Sequence, residues 1–404
     1  MFIEIIIAIL CGVTAGTFTG LCPGIHINLV SVIVVGLSSS IAALSGIQPI
    51  YIAVMIVAMG ITHTFLDALP STFLGCPDES MIMAALPAHK FLLKGKGMEA
   101  IKLLTFGAFA CLLLTCGFVL LTLNFVKAAY NFIQPLIGFI LIIAVAFIIL
   151  KQPSLDKKLK TFLLFALSGL LGIAVLNLPN LSQPLLPMLS GMFGISTLLL
   201  SLSEKIKIPK QNNEGEKVDK KVTIKALLAG TVYGCLTGML PGLGSAQAAT
   251  IASAFIGNIG DAGYLLLVGG INTVNFLFST ATFYTLEKAR NGAIVAVMEI
   301  VKSITFEQLL LLLVAAVVAG SIAVLLTMSL ARKFSEIVTK VDYGKLCTAV
   351  LGLVFIIVFI FSGMMGIFVL LISTAVGLIA PLLHVPRSSA MGCLLLPVIF
   401  YFVL

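Results

Sequence analysis

Two short segments of this chain place a proline and a glycine before polar side chains in otherwise apolar sequence. The candidate binding residues are Pro23, Gly24, His26, Asn28 and Ser31 in the first segment, and Pro241, Gly242, Gly244, Ser245, Gln247 and Thr250 in the second. Proline suits the first turn of a helix, and a helix N-terminus presents free N–H groups and positive dipole charge. We therefore expect each segment to bind a carboxylate or a phosphate. The alternative is an ordinary tight turn with packed polar side chains.

A second polar region at 61–79 has a weaker echo at 271–285. His63 and Asp67 are four residues apart, so their side chains would face each other on a helix. Polar groups at membrane depth are costly and usually functional, so this pair is a candidate proton relay or coupling-ion site. A structural hydrogen bond at the helix end is the alternative. The uncharged ligands expected from the echo are Asn272, Thr273 and Asn275.

The composition requires a membrane around the chain. Of its 404 residues 60% are hydrophobic and 10% are charged, whereas a soluble domain carries about 25% charged residues. A cytosolic enzyme, a nucleic-acid-binding protein and a disordered scaffold are therefore excluded. The net charge of +8 comes from short basic clusters between apolar runs, which is typical of loops between membrane helices. We expect an all-α, multi-pass protein of the cell membrane.

The charge-free runs predict about 14 spans when each span takes roughly 20 residues. Breaks at the Pro-Gly elements, and a re-entrant stretch near 71–77, are expected within these runs. The eight cysteines lie mostly in apolar sequence and form no CxxC pair. We therefore expect buried thiols and no metal site.

An internal repeat divides the chain. Segments 12–33 and 230–251 share seven identical residues in 22 positions at a constant offset of 218. Each segment contains a glycine ladder, with glycine at every fourth residue: Gly12, Gly16, Gly20 and Gly24, and Gly230, Gly234, Gly238 and Gly242. Such spacing lines one helix face and lets another backbone approach closely. We predict a first repeat at 1–203, a cytoplasmic linker at 204–222 and a second repeat at 223–404.

The basic residues predict that the second repeat is inverted. With seven crossings per repeat, 20 of the 24 Lys and Arg residues lie on one side of the membrane. The exceptions are Lys127, Lys288, Arg290 and Lys302. By the positive-inside rule the basic side is cytoplasmic, and both termini are extracytoplasmic. Inverted repeats with broken helices are typical of secondary transporters.

These motifs resemble the large membrane subunit of the tripartite tricarboxylate transporters, in a divergent, stand-alone branch. The motif that carries the resemblance is Gly238-Met239-Leu240-Pro241-Gly242-Leu243-Gly244. The layout from Thr72 to Gly97 is similar to the family's Asn-Ile-Pro-Gly loop and the basic turn after it, although Gly-Cys-Pro-Asp stands at 75–78 and His26 replaces the second motif glycine. The resemblance implies carboxylate import driven by an ion gradient. It also implies a small membrane subunit and an extracytoplasmic solute-binding protein as partners.

The leading hypothesis is a secondary transporter that carries a small organic anion, a carboxylate, under a proton or sodium gradient. The alternative is a flippase for a phosphorylated lipid carrier, which would also need a cationic site. An enzyme is not expected, because the sequence has no P-loop, no HExxH and no defined nucleophile–base set. We expect membrane lipid and a small anion as partners, no nucleic acid, and no cofactor other than a coupling ion.

Overall fold

The structure, a computed structural model, describes residues 2–22, 27, 30–31, 34, 48–75, 77, 79–179, 181, 183–203, 208–211, 218–240, 243–340 and 342–403. These residues form helices and no strand, so the predicted all-α class is confirmed. The helices are α1 Phe2–Leu21, α2 Pro49–Leu66, α3 Ile82–Leu93, α4 Gly97–Ile133, α5 Ile137–Leu150, α6 Leu155–Leu176, α7 Leu185–Leu189, α8 Ser196–Ser203, α9 Lys220–Met239, α10 Ser245–Ile256, α11 Gly260–Leu286, α12 Gly292–Val301, α13 Phe306–Lys340, α14 Tyr343–Leu382 and α15 Gly392–Val403.

Within these described residues, eight helical segments are long and apolar enough to cross a membrane. The predicted count of about 14 is not confirmed. Part of the apolar sequence forms helices of 10–17 residues instead, including α3, α10 and α12. A helix of 12 residues extends about 18 Å, well short of the roughly 30 Å hydrocarbon core.

Two helices form the centre of the protein. The segment at 49–74 contains α2 and the π-helical turn Pro70–Leu74. Of its most apolar stretch of 18 residues, 94% are buried, and the same fraction holds for α11. In the other six candidate spans, 22–44% of the corresponding stretch of 18 residues is buried. The apolar residues on their outer faces are therefore available to lipid, whereas α2 and α11 are enclosed by protein.

The first glycine ladder packs α1 against α2. A Cβ atom added at Gly12 would lie 2.4 Å from the backbone oxygen of Met55, and one at Gly16 would lie 2.4 Å from that of Met59. These glycines are therefore required for the approach of the two backbones. Because later residues of α1 meet later residues of α2, the two helices run parallel.

The second glycine ladder packs α9 against α11 in the same way. A Cβ atom at Gly234 would lie 3.3 Å from the backbone oxygen of Ile271, and one at Gly238 would lie 2.9 Å from that of Asn275. The helices α9 and α11 also run parallel. The repeat detected in the sequence thus produces the same helix–helix contact twice.

The two helix pairs point in opposite directions. Gly60 of α2 packs on the ring of Phe276 of α11, where a Cβ atom would lie 2.0 Å from the ring. Seven residues later, the Asp67 carboxylate accepts a hydrogen bond of 2.9 Å from the Asn272 amide. Because the order of the contacts is reversed, α2 and α11 are antiparallel. The prediction of inverted repeats is confirmed.

The ladders also establish which residues of the central helices are equivalent. A Cβ atom added at Gly20 would lie 3.1 Å from the backbone oxygen of His63, and one added at Gly238 would lie 2.9 Å from the backbone oxygen of Asn275. His63 therefore corresponds to Asn275. The echo seen in the sequence had paired His63 with Thr273, which is two residues out of register.

Part of the linker contacts the first repeat. The Gln211 side chain accepts a hydrogen bond of 2.8 Å from the Gly97 N–H and donates one of 3.2 Å to the Leu92 carbonyl. Asp219 caps the start of α9 by accepting from the Lys221 N–H. The division of the chain into 1–203, 204–222 and 223–404 stays a prediction.

Candidate functional site

A cavity of about 370 Å³ lies where α2 and α11 meet α9 and α10. Leucine and valine side chains from α6, α7 and α15 line part of its wall. The rest of the lining is polar and includes His63, Thr64, Ser80, Thr237, Ser245, Gln247, Asn272, Asn275, Arg290 and Asn291. Since both repeats contribute to these polar groups, the cavity is a shared site.

The short helix α10 begins at this cavity. Gly244 has an extended backbone before the first helical residue, Ser245, and the Gly244 N–H donates a hydrogen bond of 3.0 Å to the Gln247 side-chain oxygen. Gly257, with φ of 80°, ends the helix in a conformation that favours glycine. Ser245 and Gln247 are buried, so the N-terminus of α10 lies inside the protein.

The start of α10 lies near the middle of the central helix α11. The Asn275 amide donates a hydrogen bond of 3.2 Å to the Ser245 hydroxyl. Asn275 follows Gly260, the first residue of α11, by about 23 Å along a helix that is about 40 Å long. The Ser245–Asn275 pair therefore lies about halfway along a membrane-spanning helix.

The structure brings together six of the predicted site residues at the cavity: His63, Gly244, Ser245, Gln247, Asn272 and Asn275. Four others are described but do not line it: Ser31, Asp67, Thr250 and Thr273. The remaining six fall outside the described residues: Pro23, Gly24, His26, Asn28, Pro241 and Gly242. The joint anion site of the two Pro-Gly elements thus stays a prediction.

Asp67 lies directly behind the cavity wall. Its carboxylate accepts hydrogen bonds from the Asn272 amide at 2.9 Å and from the Ser80 hydroxyl at 3.2 Å, and both donors line the cavity. The Nδ1 atom of His63 lies 3.1 Å from the hydroxyl oxygen of Thr19. The two predicted relay residues are both buried, and each contacts a different segment.

Two of the described residues that do not line the cavity have packing roles. The Thr273 hydroxyl lies 3.1 Å from that of Thr64, which joins α11 to α2. The Thr250 hydroxyl donates a hydrogen bond of 2.9 Å to the Ala246 carbonyl within α10. The Thr250 hydroxyl is therefore bonded within its own helix, whereas the Thr273 hydroxyl is bonded to Thr64, a residue of the cavity lining.

Sequence reasoning missed five polar lining residues: Thr64, Ser80, Thr237, Arg290 and Asn291. Arg290 donates a hydrogen bond of 2.8 Å from Nη2 to the Tyr130 hydroxyl, and its guanidinium lies 5.4 Å from the centre of the Tyr130 ring. One signal was present in the sequence. Arg290 is one of the four basic residues that the predicted topology puts on the side poor in Lys and Arg, where orientation alone does not require a cation.

The described lining carries a positive charge. Among these residues Arg290 is the one permanently charged side chain, and none is acidic. Hydroxyl, amide and guanidinium donors all line this cavity, and hydrogen bonds from such donors to an anion are stronger where little water is present. In the part of the chain that the structure describes, no group of three or more His, Cys, Asp or Glu side chains could hold a metal ion.

Comparisons with known proteins cover nearly the whole chain. The sequence profile of the tripartite tricarboxylate transporter TctA family matches residues 6–392. An uncharacterized protein of Methanocaldococcus jannaschii is 30% identical over 400 residues, which are 98% of this chain and 98% of that protein. No solved structure matches the chain. The profile match includes both glycine ladders and the polar cavity-lining residues named above. Two apolar lining residues, Leu394 and Val398, lie beyond it.

Proposed function

Because the chain belongs to the tripartite tricarboxylate transporter TctA family, we propose that it is an ion-coupled secondary transporter for a small organic anion, a carboxylate. The family is one of multi-pass membrane transport proteins rather than enzymes. The observation that carries the proposal is the polar cavity between two inverted repeats, with a broken helix starting at its wall. Secondary transporters bind their substrates in this position.

The chemistry of the cavity supports an anion as the substrate. Ser245 and Asn275 supply a hydroxyl and an amide at mid-membrane, and Arg290 supplies a positive charge. The buried N-terminus of α10 adds the positive end of a helix dipole. A carboxylate leaving water would thus exchange its hydration for fixed donors from the protein.

Asp67 and His63 are our candidates for coupling the anion to a proton or a sodium ion. Asp67 is bonded to two side chains of the cavity wall, Asn272 and Ser80. A change in its charge would therefore be felt at the substrate site. An ionisable group buried at membrane depth usually belongs to such a relay.

Orientation and partners follow from the basic residues and the family. Lys220 and Lys333 lie on the basic-rich side, which we take as cytoplasmic, with both termini extracytoplasmic. A small membrane subunit and an extracytoplasmic solute-binding protein are the proposed partners. The outer faces of the long helices offer apolar surface to lipid or to a membrane subunit.

Uptake into proteoliposomes tests the function. Purified protein is reconstituted, and uptake of labelled acetate, succinate and citrate is measured under a proton gradient and under a sodium gradient separately. Gradient-driven accumulation of at least one carboxylate is expected. Transfer of a labelled phospholipid between leaflets without carboxylate uptake would favour the lipid-directed alternative. The polar lining of the cavity does not favour that alternative.

A further inference from the structure

Arg290 is held by short structural elements on either side. Helix α11 ends at Leu286 and is capped by Glu287, whose backbone is left-handed with φ of 51°. Helix α12 begins after Asn291, whose side chain accepts a hydrogen bond of 2.9 Å from the Ala293 N–H. Because the connection between the two caps is three residues long, the backbone of Arg290 has little freedom to move.

Tyr130 of α4 holds the guanidinium from the other repeat. Its hydroxyl accepts from Arg290 Nη2 at 2.8 Å, and its ring lies 5.4 Å from the guanidinium carbon. The Tyr130 side chain is itself buried. A cation packed on a ring and bonded at one nitrogen has a defined orientation.

This arrangement leaves donors of the guanidinium for another ligand. Arg290 lines the cavity, and a guanidinium carries five N–H donors in a planar fork, of which the tyrosine takes one. The Nε atom is buried and has no hydrogen-bond partner in the described part of the chain, so the donors that remain for a ligand in the cavity are those of Nη1 and Nη2. A carboxylate is the group that these donors match in geometry and charge.

We propose that Arg290 binds a carboxylate of the transported anion, and that Tyr130 is the positioning residue that orients its guanidinium. The assignment rests on the proposed function and adds to it the residue that selects for a carboxylate. It also accounts for the position of Arg290 on the side of the membrane where basic residues are rare.

Lys288 provides a matched control. It lies two residues before Arg290, and its ammonium is 5.6 Å from the centre of the same Tyr130 ring. Unlike Arg290, Lys288 is exposed and is not part of the cavity lining. Removing its charge alters the electrostatics of the loop and one contact of the Tyr130 ring, but leaves Arg290, its bond to Tyr130 and the cavity lining in place.

The test measures equilibrium binding of labelled acetate, succinate and citrate to purified protein in detergent, together with the thermal unfolding temperature. For the probe that the natural protein binds, Arg290→Gln is expected to raise Kd about 10- to 100-fold, as loss of a charge-assisted hydrogen bond does. Arg290→Lys should recover part of this loss, and Tyr130→Phe should weaken binding by a smaller factor. Lys288→Gln should bind like the natural protein.

A folded Arg290→Gln protein with an unchanged Kd would overturn the assignment and leave the proposed function standing. If Arg290→Gln does not fold, Arg290→Lys decides. Weaker carboxylate binding at an unchanged unfolding temperature supports the proposal, and unchanged binding overturns it. Absence of both binding and uptake of all three carboxylates by the natural protein would overturn the proposed function as well.

Discussion

The amide of Asn272 donates a hydrogen bond of 2.9 Å to the carboxylate of Asp67, although 205 positions separate the two residues in the chain. Asp67 follows α2 in the first repeat, and Asn272 lies on α11 in the second. Asn272 also lines the cavity. Any movement of one repeat against the other must therefore alter the surroundings of a buried carboxylate, which is the relationship that ion coupling requires.

Replacing Asp67 with asparagine tests this relationship. We expect Asp67→Asn to abolish gradient-driven accumulation but to retain anion exchange, because the amide keeps an acceptor for Asn272 and cannot change charge. Uptake and counterflow in proteoliposomes measure the two activities. The control is Asp261→Asn, which removes a half-exposed carboxylate whose oxygen lies 3.4 Å from Lys90. Equal gradient dependence in Asp67→Asn and the natural protein would contradict the coupling role.

Ser245 at the start of α10 should be sensitive to charge. Ser245→Ala removes the hydroxyl that accepts from the Asn275 amide. We expect the transport rate to fall about 10-fold or more, because a hydrogen bond to a charged group contributes about 1.5–3 kcal/mol of binding free energy. Ser245→Asp should abolish anion uptake by like-charge repulsion. In the same helix, the Ser253 hydroxyl donates to the Thr250 carbonyl and does not line the cavity, so Ser253→Ala should be neutral. Normal uptake by a folded Ser245→Asp protein would show that anion binding occurs elsewhere.

The glycine ladders should tolerate no side chain. Gly16→Ala and Gly234→Ala would place a Cβ atom 2.4 Å from the Met59 oxygen and 2.5 Å from the Val274 Cβ. We expect each to lower stability by about 1–3 kcal/mol, measured as the thermal unfolding temperature in detergent. Gly117 is the matched control, since its added Cβ atom meets nothing within 4 Å. If Gly117→Ala and Gly16→Ala behaved alike, close helix packing would not be the reason for the repeat.

The topology can be tested with single cysteines in a cysteine-depleted background. Lys220→Cys, Lys333→Cys and Lys288→Cys place thiols at exposed positions. A membrane-impermeant maleimide should label the first two only from the cytoplasmic side and the third only from outside. Labelling of all three from one side would contradict the orientation inferred from the basic residues.

Much of the architecture could be predicted from local sequence. Low charge and long apolar runs require helices in a membrane, because no other backbone arrangement without strands satisfies its hydrogen bonds there. The inversion could also be predicted, since the glycine spacing reveals the repeat and the basic loops reveal its direction. The span count is not confirmed, because dividing apolar length by 20 residues does not distinguish a full crossing from a 12-residue helix such as α10.

The site could be predicted only in part. Ser245, Gln247 and Asn275 stand out as polar residues in apolar sequence, and the structure places them at the cavity. The sequence shows Arg290 as one of several loop cations and does not reveal that Tyr130, 160 positions earlier, holds it at the cavity. The role of Asp67 in ion coupling stays a prediction; the structure shows that it is buried, and its partners Asn272 and Ser80 cannot be identified from the sequence.

The sequence by itself determined that this protein is a helical membrane protein of two inverted repeats, since periodicity and composition are properties of neighbouring residues. Only the tertiary structure decided which carbonyl each glycine faces, and hence that His63 corresponds to Asn275 rather than Thr273. It also decided which polar residues share the cavity. The physical reason is that helix crossings bring together residues more than 150 positions apart, such as Thr64 and Thr273 with hydroxyls 3.1 Å apart. A local pattern contains no information about that distance.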